Sequence, residues 1–340
     1  MRLGFNPHKD EPQQESDCFH QVVVPVYIPN EEGYFKDSFE IFKLCLDSLF
    51  KTIHKKTYIT IVNNGSCDVV IAYLNKLFLD GEIQEIINTS NIGKLNAIVK
   101  GIVGHDFSLV TVTDADVLFL KDWQKATYAI FEAFPRTGVV CPTPSSRSLR
   151  TYTANIYWDL FFSKRLHFSR VENRDALKMF ANSVGNAAFY NEIQLQKYLT
   201  VSRNETKAVA GAGHFIATYR GEVFGNLESR FSKYKLGGDS EGKFLDLPVV
   251  KKGFWRLSTV DNYTYHMGNS IEEWMYDEVL KLEKQEHILD FKLVPYHPDG
   301  KWVYYLKTKL FGKFILNKKM MPYFLIWKGL SKEESINYLK

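Results

Sequence analysis

The sequence lacks the features that mark disulfide-bonded, secreted and membrane-spanning proteins. Its four cysteines are scattered, without a CxxC pair, at Cys18, Cys45, Cys67 and Cys141. Three of them lie within or beside predicted core elements, which is typical of reduced, buried thiols in a cytosolic protein. No apolar run approaches the ~18–20 residues needed to cross a bilayer. The leader, residues 1–20, is polar and carries acids, unlike a secretory signal. We expect a cytoplasmic protein, either free or peripherally attached to the inner face of the cell membrane.

The chain also lacks a strong charge of either sign. The net charge is +4 over 340 residues, so we expect no nucleic acid partner from composition. The apolar content of 45% is enough for one large domain, or for a domain with an appendage. Aromatic residues make up 15%, a share that favours stacking surfaces or an interfacial segment without deciding between them.

Two carboxylates follow a strand-length apolar run near the centre of the first half. Residues 107–113 are largely apolar and β-branched, Asp114 and Asp116 come next, and a second apolar run follows at once. Because a buried charge is costly unless it is paired or metal-bound, we place both aspartates at the carboxyl end of a buried parallel strand. Paired carboxylates there suit Mg²⁺ or Mn²⁺. The alternative is a turn with solvated aspartates, or an N-cap for a helix at 122–134.

Apolar periodicity predicts alternating strands and helices over the first half. A first strand that runs into a loop is expected at 21–30, further strands at 58–62, 83–87, 107–113 and 138–141, and helices at 37–52, 67–79, 94–103 and 122–134. We take Pro25 as the end of the first strand. This alternation is typical of βαβ units with a parallel sheet.

The pattern loosens after Pro144, which we take as the boundary between two halves. Helices are expected at 152–165, 173–181 and 241–252, a hairpin at 198–201 and 208–211, and strands at 213–219, 255–259 and 263–266. We divide the chain into the leader, a first half at 21–145, a second half at 146–270 and a C-terminal helical extension at 271–340. Within the extension, residues 301–332 contain lysines among aromatics and no acid. That composition favours contact with an anionic membrane; a packed tail with solvated lysines is the alternative.

Four short motifs in the first half together resemble a family 2-like glycosyltransferase of the GT-A (nucleotide-diphospho-sugar transferase) fold. They are a PxYN-like segment at 24–31, a DNGS-like turn at 62–66, the pattern Asn91-Ile92-Gly93-Lys94 with Ala97 and Gly101, and the D-x-D motif Asp114-Ala115-Asp116. Each is weak alone, but their order and spacing are specific. The resemblance covers residues 20–145 well and 205–268 loosely.

The resemblance implies an α/β fold, with a Rossmann-like, mostly parallel central sheet flanked by helices and a C-terminal helical, basic-aromatic extension. It implies metal-dependent transfer of a sugar from a nucleotide-diphospho-sugar to a glycan or glycolipid acceptor in surface polysaccharide biosynthesis, with inversion favoured. A nucleotidyltransferase of the same fold is one alternative, although the Gly-rich L-x-G-G-x-G-T-R-like segment of that class is missing after the first strand. A catalytically inactive nucleotide-sugar- or glycan-binding protein is the other, and retention of both aspartates argues against it.

The resemblance also assigns donor-site residues. Those implied for the donor are Pro25, Tyr27, Asn30, Asn63, Asn64, Gly93, Lys94, Asp114, Ala115, Asp116, Gly213 and His214. Asp114 is expected to hold the ribose and Asp116 the Mn²⁺ or Mg²⁺, with Asp114 nearby and His266 as a further metal ligand or, alternatively, a structural histidine. The family has an acid where Asn63 stands. The nucleotide therefore stays open, with UDP favoured, and simple turn chemistry is an equal reading for Asn63 and Asn64.

Two acids are candidates for the base that takes the acceptor proton. Asp239 and Glu241 stand after Gly237-Gly238, where the resemblance places the acceptor-side acid. An inverting transfer needs a carboxylate there, and we favour Asp239 narrowly. The alternative is that these residues cap the following helix. Upstream, the glycine-led segment 211–220 resembles the strand that forms the floor of the sugar pocket.

Overall fold

The computed structural model describes residues 4–5, 8–11, 16–225, 227, 230–238, 241–285 and 288–340. Its strands are β1 His20–Val26, β2 Thr57–Asn63, β3 Glu85–Asn88, β4 Leu109–Thr113, β5 Val117–Phe119, β6 Thr137–Cys141, β7 Leu166–Arg170, β8 Lys197–Arg203, β9 Thr206–Ala210, β10 Ile216–Arg220, β11 Trp255–Ser258 and β12 Thr264–His266. Its α-helices are α1 Ser38–Thr52, α2 Asp68–Leu79, α3 Lys94–Ile102, α4 Trp123–Ala133, α5 Ala154–Asp159, α6 Arg174–Ser183, α7 Leu247–Lys251, α8 Glu273–Lys281, α9 Lys301–Tyr304, α10 Phe311–Ile315, α11 Met321–Trp327 and α12 Lys332–Tyr338. Two π-helical segments, Gly242–Asp246 and Tyr305–Leu310, precede α7 and join α9 to α10.

One large sheet organises the described residues, in the order β3-β2-β1-β4-β10-β6-β11-β9-β8-β7. Strands β3, β2, β1 and β4 are parallel, β10 is antiparallel to β4 and β6, and β11 is parallel to β6. The far edge, β9-β8-β7, is antiparallel. The expected α/β fold, with a Rossmann-like and mostly parallel sheet flanked by helices, is confirmed.

Apolar side chains on both faces of the sheet explain why helices cover both sides. In β6, Val139 and Cys141 belong to one buried cluster, while Val140, pointing the other way, belongs to a second. The first cluster includes residues of α1, α2, α3, α7 and α8, and the second includes residues of α4, α5, α11 and α12. The C-terminal extension therefore contributes to the core on one face.

The first half follows the expected boundaries within one or two residues, with one correction. Pro25 does not end β1, because it lies inside the strand and pairs with Val62 of β2. Pairing of β1 with β4 stops at Val23, so β1 has no neighbour on that side at Pro25. The N–H that proline lacks is therefore not needed for a hydrogen bond to β4. The short strand β5 pairs with β12 and separates the two aspartates from α4, so neither aspartate caps that helix.

The second half departs more from the expected elements. The helix expected at 152–165 is only Ala154–Asp159, and β7, which pairs with β8, follows at Leu166–Arg170. The strand expected at 213–219 begins three residues later, at Ile216. None of the helices in the described part of the chain is long and apolar enough to cross a membrane.

Candidate active site

A cleft of about 480 Å³ opens at the carboxyl ends of β1, β2 and β4. Seven residues assigned from sequence line it, namely Pro25, Tyr27, Asn64, Lys94, Asp114, Ala115 and Asp116. Parallel strands bring these segments together, because their carboxyl ends meet at one edge of the sheet. The D-x-D segment lies directly beyond β4, where the amide of Asp114 is held by the Phe215 carbonyl oxygen of the loop before β10, at 2.7 Å.

The imidazole of His266 is oriented toward Asp116 by a serine on α6. Ser183 Oγ donates its single proton to the Phe180 carbonyl oxygen, at 2.9 Å, so it can only accept from His266 Nδ1, also at 2.9 Å. In its neutral form, the imidazole therefore carries its proton on Nδ1. Its Nε2 lone pair faces Asp116 Oδ2, 3.5 Å away. A hydrogen bond on the far nitrogen is the arrangement that prepares histidine for a metal.

Asp116 has the features of a metal ligand. Its Oδ1 is buried and has no hydrogen-bond partner among the described residues. Withdrawal from water raises the pKa of Asp116 to about 6, an effect that the nearby His266 opposes. The described residues contain no group of three or more potential ligands. A carboxylate and an imidazole nitrogen still fit Mn²⁺ or Mg²⁺, which take their remaining ligands from phosphate oxygens and water.

Lys94 joins the D-x-D motif to the acceptor-side acid. Its Nζ lies 2.6 Å from Asp114 Oδ1 and 3.1 Å from Glu241 Oε1. Burial alone would lower the pKa of Lys94, but the two carboxylates together raise it above its ordinary value. Lys94 is therefore a permanently charged group at the floor of the cleft, next to Asp114.

Aromatic rings form the other side of this cleft. Tyr27 is 39% exposed, and its ring meets Phe35 edge to face at 5.9 Å. Tyr34 meets the same Phe35 at 5.1 Å. A partly exposed tyrosine face in the same cleft as a charged lysine suits a nucleotide base and its phosphates.

Three residues assigned from sequence have other contacts. Asn30 is exposed, and its Oδ1 accepts from the backbone two residues on. Asn63 is 2% exposed and bonds to the Ser66 amide and to an amide side chain of β3, which is turn chemistry. Gly93 has a φ of +90°, and a Cβ there would lie 2.7 Å from Lys235 Cα. Gly93 thus permits the close approach of the segment that leads to Glu241.

A second cleft, of about 450 Å³, lies on the other side of His266. It is lined by the predicted residues Gly213 and His214, and by Phe180, Phe189, Tyr190 and Phe215. Arg147 contributes a guanidinium that stacks over Phe189 at 4.5 Å. Since the first cleft is lined by Asp116 and the second by His266, the two clefts meet at this pair.

A buried aspartate and a buried arginine form an ion pair behind the wall of the second cleft. Asp246 is 1% exposed and Arg256 is fully buried, and Asp246 Oδ1 lies 2.6 Å from Arg256 Nη2. The other oxygen of Asp246 lies 3.3 Å from His214 Nε2. Arg256 also donates to the carbonyl oxygens of Thr151 and Ala212, at 2.6 and 2.8 Å. Asp246 therefore anchors His214 in the cleft wall.

Of the two candidate bases, only Glu241 belongs to the described residues. Asp239 lies outside the described residues. Glu241 is described, 34% exposed at its side chain, and paired with Lys94 as above. The glutamate is thus placed beside the first cleft.

Sequence reasoning missed Tyr34, Ser183, Asp246 and Arg256. Asp246 lies in the apolar run 244–247, and Arg256 lies between Trp255 and Leu257 of a buried strand. Opposite charges inside two apolar runs are a signal for a buried ion pair. Tyr34 and Ser183 carry no such signal.

The central sheet with helices on both faces is that of a GT-A-type glycosyltransferase. The glycosyl transferase family 2 profile matches residues 22–194, just over half of the chain, and the chain belongs to this family. It is a nucleotide-sugar glycosyltransferase. No curated protein matches the chain.

Solved structures that resemble the chain include a mannosyltransferase and a protein named TarS. One is the mannosyltransferase PcManGT of Pyrobaculum calidifontis, in complex with GDP-Man and Mn²⁺, at 14% identity and a TM-score of 0.46, covering 94% of this chain and 74% of that one. Another is S. aureus TarS, at 13% identity and a TM-score of 0.42, covering 77% of this chain and 38% of that one. The structure of TarS 1–349 in complex with UDP-GlcNAc has 13% sequence identity and a TM-score of 0.41, and the match covers 94% of this chain and 70% of that one.

Proposed function

We propose that this enzyme is metal-dependent and inverting, and that it transfers a sugar from a nucleoside-diphosphate donor to a glycan or glycolipid acceptor in surface polysaccharide assembly. The observation that carries the proposal is the Asp116–His266 pair at the junction of the two clefts. A carboxylate oxygen without a hydrogen-bond partner and the Nε2 nitrogen of an imidazole converge there. The donor diphosphate belongs on one side of this pair and the acceptor on the other.

In the first cleft, each donor group has a matching side chain. Tyr27 offers a face for the base, with Pro25 and Asn64 beside it, and Asp114 is placed to accept from the ribose hydroxyls. Lys94 provides a fixed positive charge for the diphosphate. UDP is the favoured nucleotide. Asn30, Asn63 and Gly93 would act on the donor indirectly, by shaping the loops around it.

Asp116 and His266, with Asp114 next to them, would hold Mn²⁺ or Mg²⁺, which would neutralise charge on the departing diphosphate. The protein contributes the orientation of both ligands. Ser183 keeps the proton of His266 on Nδ1, and burial keeps Asp116 Oδ1 free of competing donors.

Transfer takes place where the two clefts meet, and an acceptor hydroxyl is deprotonated there as its oxygen attacks the anomeric carbon. The proton passes to a carboxylate, the new C–O bond forms, and the bond from the anomeric carbon to the diphosphate oxygen breaks. Asp239 is favoured as this carboxylate. Glu241, tied to Lys94, is the alternative base or a positioning residue for that lysine. Gly213 and His214 border the space for the transferred sugar.

Two halves of one catalytic domain would divide the work, 21–145 for the donor and 146–270 for the acceptor. A lipid-linked acceptor would be reached at the cytoplasmic face of the membrane. Contact of residues 301–332 with that membrane is part of this proposal, on the ground of their lysine- and aromatic-rich composition.

Thermal unfolding with nucleotides and nucleotide sugars, with and without Mn²⁺, tests the donor and metal assignments. A ligand that binds the folded state raises the unfolding temperature, so UDP or a UDP-sugar should do so only with Mn²⁺. Asp116→Asn should abolish that shift, whereas Asp106→Asn, at an exposed position, should not. A metal-dependent shift that survives in Asp116→Asn would overturn the metal assignment.

The base is tested by comparing Asp239→Asn with Glu241→Gln. A positioned carboxylate contributes about 10²–10⁴-fold, so Asp239→Asn should lower transfer by that factor while donor binding is retained. A large loss in Glu241→Gln, with near-normal transfer in Asp239→Asn, would move the role to Glu241. Near-normal transfer in both variants would contradict a base at either position.

A further inference from the structure

The C-terminal extension presents an apolar stripe to solvent. Residues 301–315 form one continuous helical segment, with π-helical turns between α9 and α10. On its outward side, spaced by four residues, lie Trp302, Leu306, Leu310 and Phe314, which are 80%, 45%, 50% and 51% exposed. Amphipathic helices of globular proteins normally turn such a stripe toward the core. Here the stripe points away from it.

The inward side of the same segment is fixed to the catalytic domain. Lys307 is buried, and its Nζ lies 2.8 Å from Asp159 and 3.0 Å from Asp299. Gly312 and Ile315 are buried on the same side. Because these contacts determine which side faces the protein, the outward stripe cannot be covered by rotating the helix.

Other exposed aromatics extend the stripe into a surface. Trp158 meets Phe311 edge to face at 5.2 Å and is 44% exposed. The ring of Trp327, 63% exposed, donates to the Phe161 carbonyl oxygen at 3.3 Å, and the neighbouring Phe162 is 85% exposed. We call the outward stripe together with Trp158, Phe162 and Trp327 the aromatic face.

Positive charge surrounds the aromatic face. Six lysines of 301–332 are exposed, at Lys301, Lys309, Lys313, Lys318, Lys319 and Lys332. None of them forms an ion pair among the described residues, and no acid occurs between 300 and 332. Lys309 and Lys313 each lie next in sequence to a residue of the apolar stripe, Leu310 and Phe314 respectively.

We propose that the aromatic face is a docking surface for an anionic lipid bilayer, which deepens and rests on the proposed action on a membrane-borne acceptor. Tryptophan and leucine enter the headgroup region, and the lysines pair with lipid phosphates. Each lysine near an anionic surface adds on the order of fivefold to binding. A second copy of the chain fits less well, because a twofold contact through this face would bring two sets of the same lysines together.

Flotation of the full chain with vesicles tests the proposal. The chain should float with vesicles of phosphatidylcholine and phosphatidylglycerol, and only weakly with phosphatidylcholine alone. Lys309→Glu/Lys313→Glu and Leu306→Ser/Leu310→Ser should each lower the anionic-vesicle affinity tenfold or more. Lys55→Glu/Lys207→Glu, the same charge change at exposed lysines outside the face, should lose much less. Equal affinity of the face variants and the wild type would overturn the proposal.

A second measurement needs no destabilising variant. Brominated lipids quench tryptophan by contact, so they should quench the wild-type protein, and Trp302→Phe should lose part of that quenching. Absence of quenching, or concentration-dependent dimers that Leu306→Ser/Leu310→Ser dissolves, would overturn the proposal. The Mn²⁺-dependent shift with a UDP-sugar, measured on the same variants, separates the two hypotheses. Vesicle binding without that shift refutes the donor assignment alone, and the shift without vesicle binding refutes the docking surface alone.

Discussion

The buried pair Asp246–Arg256 should be the most sensitive charged contact in the second half. The perturbation is Asp246→Asn, which keeps the shape of the side chain and removes its charge. Arg256 is fully buried, with its Nη2 2.6 Å from Asp246 Oδ1, so the variant leaves a guanidinium in the interior without its counter-charge. Breaking such a pair on one side costs about 3–5 kcal/mol.

The contacts that remain place the expected cost near the lower end of that range. Arg256 keeps its bonds to the carbonyl oxygens of Thr151 and Ala212, and the new amide oxygen can still accept from it. We therefore expect a loss of about 3 kcal/mol, out of a total of about 5–15 kcal/mol for a typical domain. For a chain of this size, that loss lowers the unfolding temperature by about 4 °C.

The measurement is denaturant and thermal unfolding, with two comparisons. Asp290→Asn is the matched control, because Asp290 also has a basic neighbour, Lys56 at 3.9 Å, but is 98% exposed; it should change stability by less than about 0.5 kcal/mol. The double variant Asp246→Leu/Arg256→Met replaces the pair by apolar groups and should recover most of the loss. A cost for Asp246→Asn as small as that of Asp290→Asn would refute the reasoning.

Three further predictions concern the first cleft and the core beneath it. Ser183→Ala removes the group that orients His266, so the Mn²⁺ affinity measured by titration with UDP should fall about 10–100-fold, and an unchanged affinity would exclude the orienting role. Lys94→Met should weaken UDP binding, measured by calorimetry, by about 10–100-fold because a charged hydrogen-bond donor is lost, whereas Lys100→Met, exposed on the same helix, should bind normally. Burial lowers the pKa of His54 from 6.5 to about 4. Between pH 6.5 and 4 the unfolded chain therefore binds a proton at His54 that the folded chain does not bind. The free energy of unfolding should fall as the pH drops through this range. In urea unfolding, His54→Gln should flatten that decline and His297→Gln, at an exposed position, should not.

The first half could be predicted because its signals are local. Periodicity placed α1, α2, α3 and α4 within one or two residues, since each has a continuous apolar face against a buried strand. The end of β1 could not be predicted from Pro25 alone. Whether a proline is tolerated in a strand depends on its pairing, and β1 loses its β4 neighbour after Val23.

Some residues of the candidate site could also be predicted from local sequence signals, and others could not. The positions of Lys94, Asp114 and Asp116 follow from strand ends and helix starts, and all three line the first cleft. Asn63 has a side chain that serves a ligand or a turn equally well, and its contacts to the Ser66 amide and to β3 become visible only in three dimensions.

The role of Ser183 could not be predicted from the sequence. Serine at the end of a helix is common, and its importance here comes from His266, which lies far along the chain on β12. The contact depends on Gly268, whose φ is +74° and where a Cβ would lie 2.9 Å from the Ser183 carbonyl oxygen. Two elements must therefore pack closely before the serine has a role.

The tail shows why composition alone left two readings open. On composition, an interfacial segment and a packed tail are alternatives, whereas the helical segment 301–315 combines a packed side with an exposed apolar side. Apolar spacing would turn Trp302, Leu306, Leu310 and Phe314 inward. Instead Lys307 is buried, because Asp159 and Asp299 provide the counter-charges that make its burial tolerable. Those two acids orient the helix, and the orientation leaves its most apolar stripe facing outward.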